Sequence, residues 1–270
     1  MRLARFEAGG RVSWGIVESR DGGSPRVREI ASSSFDVVAS QAVMAAGPQA
    51  TSRVHRLDEV RLLSPCAPSK IFALAHNYRN HLQGKAAPRE PQIFLKVPSS
   101  VISPGQTILL PPGQGRVDEE AELVVVMGKR CKGARRENAL GFVLGYTCGN
   151  DVSARMWQKN DLNWWRAKSS DTFSPIGPFI VTDIDPRSAL ITGRINGREV
   201  QRCSTADLIF DVPALVEWIS AAVTLEPGDL IFTGTSGEPA ELHPGDVVEV
   251  EIDGIGVLSN PVAEAGSLTS

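Results

Sequence analysis

One stretch constrains this chain more than any other: Val117-Asp118-Glu119-Glu120-Ala121-Glu122-Leu123-Val124-Val125-Val126-Met127, acidic at its start and apolar at its end. The apolar half is rich in β-branched residues and closes at Gly128-Lys129, the pattern of a strand running into a buried sheet. Alternate side chains of a strand share a face, so Glu120 and Glu122 point the same way, with Asp118 behind them. Like charges at the mouth of a sheet repel one another unless a cation or solvent relieves them. A hard divalent metal would do so, because Mg2+ and Mn2+ favour carboxylate oxygens. The competing reading of the stretch alone is a solvated acidic edge strand, since Glu-x-Glu is common.

The rest of the composition narrows the field. A chain of 270 residues can bury a substantial core. With a net charge of −3 and scattered Lys and Arg, it has no basic stripe for nucleic acid. No apolar run approaches the roughly 20 residues of a membrane span, and the strand-like start at Met1–Phe6 has no signal-peptide core, so a cytoplasmic protein is expected. Cys66, Cys131, Cys148 and Cys203 form no Cys-x-x-Cys pair and read as reduced, buried thiols. His55, His76, His81 and His243 make no zinc-type cluster. His55 and His243 read as surface residues, and His76 as either a pocket wall or a packed histidine.

Taken in order, residues 1–30 read as short alternating strands broken by Gly9-Gly10 and Gly22-Gly23, and Ser40–Ala46 as a short helix ending at Gly47-Pro48. Pro65 and Pro68 suggest a linker, giving a small N-terminal domain over 1–65 and a catalytic domain over 66–270. Lys70–Ala75 reads as a buried strand ending in the polar cluster His76–His81. Gln83–Pro91 is a loop or lid, and Gln92–Lys96 a strand. Beyond the acidic stretch, the pattern predicts a helix at Arg135–Leu140, a strand at Phe142–Asn150 and a helix from Ser153 to Asn160. Asn163–Pro178 shows no clear period; its Trp164 and Trp165 suit packing at a dimer or lid contact. Asn196-Gly197 and Asp253-Gly254 signal two-residue hairpins. A helix over Pro213–Val223, with Asp211 as its cap, buries Leu215, Val216, Ile219, Ala222 and Val223. Many short strands and few helices argue for a mainly β, α+β fold built on a sandwich or roll.

Five segments, Lys70–His81, Val117–Lys129, Asn150–Gln158, Ala167–Pro178 and Pro227–Thr235, resemble the fumarylacetoacetate hydrolase family in order and spacing. The resemblance covers about Pro68–Val262, and Met1–Leu63 looks like the small N-terminal α/β domain of many members. It implies a mixed β-sandwich roll, usually a homodimer. It implies a divalent metal, Mg2+ or Mn2+ with Ca2+ an alternative, held by Glu120, Glu122 and Asp151. Arg155, Gln158 and Thr235 match substrate-facing positions, Lys168 the active-site lysine and His81 the catalytic histidine. The implied substrate is a small anionic 2-oxo acid, and the implied reaction is hydrolytic or decarboxylative C–C cleavage through an enolate that the metal stabilises as a Lewis acid. Lys168 and Arg155 would offset the substrate's charge.

Three departures from the family pattern bear on the reaction. Gly84 stands where hydrolytic members carry a Glu that orients the histidine or a water, leaving Glu90 or Glu59 as substitutes from elsewhere. Met156 stands where many members have Asp. Ser236-Gly237-Glu238-Pro239 replaces a commoner glycine- and proline-rich run. An isomerase or hydratase working through the same enolate is therefore an alternative, and a silent metal- or ligand-binding homologue is another.

Overall fold

The computed structural model describes residues 1–18, 24–42, 47–82 and 84–266. Its spine is a twelve-stranded mixed sheet. In spatial order its main path runs Ala50–Arg56, Arg26–Ile30, Arg11–Glu18, Arg2–Ala8, Ser174–Val181, Val143–Asn150, Ala121–Met127, Leu230–Phe232, Ile71–Ala75 and Gln92–Lys96. Arg61–Leu63 adds to Arg2–Ala8, and Val101–Ile102 to Ser174–Val181. The N-terminal strands continue this sheet, because Arg2 and Leu3 pair with Val181 and Ile180. A second, five-stranded sheet, in the order Arg198–Ser204, Leu190–Ile195, Val247–Ile252, Gly256–Glu264 and Ile108–Leu110, packs against it. The fold is mostly β, as expected.

Ala121–Met127 is central, not an edge, and all seven of its residues are buried. It pairs with Val143–Asn150 on one side and Leu230–Phe232 on the other. Leu123, Val125 and Met127 face Ile191, Val250, Ile252 and Leu258 of the second sheet. Val124 and Val126 face Leu3, Ile71, Leu144 and Phe232. Burial on both faces explains the unbroken apolar run. At about 1.5–3 kcal/mol for each buried aliphatic side chain, these five residues anchor the sheet.

The acidic half departs from the expected continuous strand. Val117–Asp118 pairs separately with Ser153–Ala154, and the ladder lapses at Glu119 and Glu120. There the Glu119 N–H donates to the Ala240 carbonyl, and the Asp151 N–H donates to the Glu120 carbonyl. The break lets the chain bend while its backbone polar groups stay paired.

Other expectations shift. The first helix is Phe35–Ala42, with Val38 and Ala39 buried; residues 43–46 and Gly22-Gly23 lie outside the described residues. Arg135–Leu140 is no helix: the Asn138 side chain accepts the Arg135 N–H, a local bond that competes with helix, and a 3-10 turn follows at Ala139–Phe142. The helix after Asp151 is Arg155–Asn160, since Ser153 and Ala154 are spent on strand pairing. Val212–Ala222 forms as expected with Asp211 capping the Ala214 N–H, but Ala222 and Val223 are exposed because Val223 already leaves the helix. The Asn196-Gly197 hairpin forms with both residues at positive φ. At Asp253-Gly254 the loop takes three residues, because Ile255 turns into the core. All four cysteines are buried and free. His55 is half-buried against Phe6 rather than on the surface.

Candidate metal centre and pocket

The carboxyl oxygens of Glu120, Glu122 and Asp151 converge within 4.8 Å of one another. Glu120 lies in the strand break, Glu122 is the second residue of the central strand, and Asp151 follows the end of the neighbouring strand. Asp151 is no helix cap: the following helix has Ala154 in that place. Three cations surround the cluster. Lys168, at the end of the one-turn helix Trp165–Ser169, donates to Glu120 Oε2 at 2.8 Å and Asp151 Oδ2 at 2.7 Å. Arg155 spans Asp118 Oδ2 at 2.7 Å and Glu120 Oε1 at 2.8 Å. Lys96 reaches Asp151 Oδ1 at 2.5 Å and donates to the carbonyls of Lys168 and Phe173.

These partners set the charge states. Burial works against the Glu120 carboxylate, but Lys168 and then Arg155 outweigh it and hold Glu120 down at about 2. Glu122 goes the other way. Burial first, then the Asp151 and Glu120 charges, push it well above the usual carboxylate range. Its Oε2 accepts the Gly234 N–H at 2.7 Å, while its buried Oε1 has no partner among the described residues. An orphaned carboxyl oxygen facing two more carboxylates is the donor set a hard divalent cation takes up. The residues therefore fit such an ion. Gly234 makes its contact at φ +102, and a Cβ there would lie 2.9 Å from the Asn77 Cβ. Asn77 in turn bonds the Thr233 and Phe210 carbonyls and fixes the Thr233-Gly234-Thr235 turn.

Glu120 joins the cluster to a pocket of about 40 Å3, lined by Glu120, Arg155, Gln158, Lys168, Thr235, His81 and His76 with Leu74, Ala75, Phe94 and Trp164. Six of the eight residues singled out from the sequence line it, and Glu122 and Asp151 adjoin it through their cluster with Glu120. Gln158 accepts from Arg155 at 3.0 Å. The Thr235 hydroxyl is engaged by Gln201 at 3.0 Å, which holds it in the wall. His81 sits on the 3-10 turn Arg79–Leu82, with Nδ1 2.7 Å from the Gly237 carbonyl. His76 takes a left-handed φ of +56 at the strand end and meets Gln92. Trp164 packs on Phe94, whereas Trp165 is exposed. Neither substitute for the absent Glu is present: Glu59 pairs with Arg56, and Glu90 is exposed outside the lining.

Sequence reasoning did not single out Lys96. Its only signal is a lysine closing an apolar strand, Ile93-Phe94-Leu95, before Val97-Pro98. Glu119 was likewise silent; it is wholly buried, and burial raises its carboxyl to about 8.

With this geometry in place, similarity to known proteins is informative. The sequence profile of the fumarylacetoacetate (FAA) hydrolase C-terminal family matches residues 70–263, and an N-terminal profile described as Rv2993c-like matches residues 1–65. A Xenopus laevis protein named oxaloacetate tautomerase fahd2, mitochondrial, is 39% identical over 292 residues, covering 97% of this chain and 90% of its own. The structure of 5-carboxymethyl-2-hydroxymuconate delta-isomerase from Mycobacterium smegmatis superposes with a TM-score of 0.89 at 41% identity, covering 98% of this chain and all of that one. Maleylpyruvate hydrolase from Sphingobium sp. SYK-6, solved with manganese(II) and pyruvate, gives 0.80 at 29% identity, again over 98% of this chain and all of its own.

Proposed function

The chain belongs to the fumarylacetoacetate hydrolase family, and we propose that it is a divalent-metal-dependent isomerase that interconverts keto and enol forms of a small 2-oxo diacid. The observation that carries this reading is the Glu120, Glu122 and Asp151 cluster with its orphaned Glu122 oxygen, ringed by Lys96, Lys168 and Arg155. With Glu122 ionised by the ion it would hold, three carboxylates balance the three cations, and Arg116 on Asp118 closes a further neutral pair. A bound Mg2+ or Mn2+ would leave a double positive charge, the complement of a dianion. When held there, the ion supplies a Lewis acid for negative charge on the 2-oxygen of the substrate.

The protein's own residues do the rest. Arg155, held rigidly between Asp118 and Glu120, presents a guanidinium edge beside Gln158 and orients a carboxylate. Lys168 keeps Glu120 ionised and, through its bonds to Glu120 and Asp151, holds the two carboxyl groups in line. Phe94 and Trp164 exclude water. His81 is the acid/base group that carries the proton between carbon and oxygen. Isomerisation needs this one carrier, whereas hydrolysis also needs an aimed water, and Glu120, the carboxylate in the pocket lining, is already committed to Lys168 and Arg155. The names of the tautomerase and delta-isomerase relatives agree with that preference.

C–C bond cleavage, by hydrolysis or decarboxylation, is the second reading, favoured by the likeness to maleylpyruvate hydrolase. We further propose a cytoplasmic homodimer. Four free buried thiols suit a reducing compartment, and Leu95, Val97, Leu162 and Trp165 expose apolar surface that a second copy would cover. No helix among the described residues is long and apolar enough to cross a membrane.

The test follows oxaloacetate with added Mn2+, reading loss of the enol absorbance and release of pyruvate separately. Accelerated enol loss without pyruvate is expected. Stoichiometric pyruvate release would move the assignment to decarboxylation, and no effect on either would overturn the isomerase reading.

A further inference from the structure

The family's hydrolytic pattern orients its histidine with a Glu at the position of Gly84. In this chain Gly84 is exposed, has φ +85 and has nothing within 4 Å of where its Cβ would be. The histidine is nonetheless held. Its Nδ1 lies 2.7 Å from the carbonyl oxygen of Gly237, and Nε2 makes no hydrogen bond among the described residues while the ring lines the pocket. A carbonyl can only accept, so Nδ1 must carry the proton and the neutral ring must keep its lone pair on Nε2. His76 has no such definition: its partner Gln92 can offer either an oxygen or an NH2.

We infer that the Gly237 carbonyl replaces the absent carboxylate as the positioning group for His81, fixing Nε2 as the proton carrier. The two departures from the family pattern, at Gly84 and at Ser236–Pro239, are then one change: the orienting acceptor has moved from the helical turn to the opposite wall. Gly237 presents its carbonyl at φ +60, with its own N–H bonded to Asn80 Oδ1 at 3.2 Å. A side chain there meets nothing within 4 Å, so substitution acts through backbone conformation alone. A carbonyl orients a neutral imidazole but cannot take its proton or bind a water as a base. This suits shuttling one proton more than activating a nucleophile.

The inference rests on the isomerase reading. The step it assigns is balanced. Nε2 takes a proton from the carbon beside the oxo group, and the C–H pair becomes the C=C bond. The C=O pair moves onto oxygen, and Nε2 returns the proton to that oxygen to give the enol. Throughout, Nδ1–H stays on Gly237.

The experiment is a long-range 1H–15N spectrum of the wild-type protein labelled at its histidines, with His81→Asn identifying the His81 signals, alongside kinetics of Gly237→Ala and Gly237→Asn. Asn tolerates the left-handed conformation where Ala does not. Expected are a His81 whose neutral form is protonated at Nδ1 and a roughly tenfold fall in kcat with little change in KM for Gly237→Ala. Gly237→Asn should return toward wild type. A wild-type His81 protonated at Nε2 would overturn the inference without need of any variant. So would a Gly237→Ala protein whose tautomer and kcat match wild type. Loss of the isomerase reading shows separately, as stoichiometric release of pyruvate from oxaloacetate by the wild-type protein.

Discussion

Replacing Lys96 with Met isolates the contribution of the one buried cation that holds Asp151 from outside the pocket. Met keeps most of the aliphatic stem and removes the ammonium, which lies 5.8 Å from the centroid of the Phe232 ring. The ammonium is almost wholly buried and serves three acceptors, Asp151 Oδ1 and the carbonyls of Lys168 and Phe173. Its loss leaves one carboxylate short of a partner and two carbonyls unsatisfied. Removing one member of a buried pair costs about 3–5 kcal/mol. At about 2–4 °C per kcal/mol for a chain of this size, Tm in EDTA should fall by about 6–20 °C. A divalent ion at the neighbouring carboxyl oxygens supplies part of the missing charge, so saturating Mn2+ should raise the Tm of the variant more than that of wild type. Differential scanning fluorimetry with EDTA and with Mn2+ measures both. A variant within 2 °C of wild type in EDTA would refute the claim that Asp151 depends on Lys96.

Other perturbations separate the carboxylates. Glu122, with its pKa raised in the fold, contributes stability that is full below about 4.5 and is lost as pH rises through the raised value. Glu122→Gln in EDTA should therefore be at least as stable as wild type at pH 8, by urea denaturation. Glu120, lowered from 4.5 to about 2, contributes roughly 3 kcal/mol above pH 4.5 that is lost as pH falls toward 2. Glu120→Gln should accordingly be destabilised at pH 7 and approach wild type near pH 2. Arg155→Lys cannot span Asp118 and Glu120 together, and steady-state kinetics should show KM raised about tenfold with kcat changed less. Gly145→Ala would place a Cβ 2.4 Å from the Val181 carbonyl oxygen in the adjoining strand, and should cost at least 1–3 kcal/mol by chemical denaturation.

The sequence exposed the parts of the fold that rest on local pattern. The Val-rich run at 123–127 reads as a strand running into a buried sheet, Asn196-Gly197 as a hairpin, and Asp211 with the apolar stripe behind it as a capped helix. Where long-range partners decide, local pattern misleads. Ser153 and Ala154 suit a helix but pair with Val117 and Asp118. At Arg135–Leu140 the competitor is local, the Asn138 side chain that takes the Arg135 N–H. The site divides in the same way. Glu120 and Glu122 show as paired acids on one strand face, while the roles of Asp151 and Lys168 are legible only through the resemblance of their segments to the family. Lys96 is not legible, because a lysine at a strand end is ordinarily solvated, and only the fold shows that this one points under Asp151. The bond from His81 to Gly237 spans 156 residues and has no signal in either segment alone.

The central claim is that Glu120, Glu122 and Asp151 together bind one divalent cation. Isothermal titration of Mn2+ into EDTA-stripped wild type and Glu122→Gln at pH 7.5, each then exchanged into EDTA-free buffer, tests it most directly. One ion per chain in wild type, and binding weakened by at least about a hundredfold in the variant, is the predicted result. Equal binding by the two proteins, or none by wild type, would contradict it.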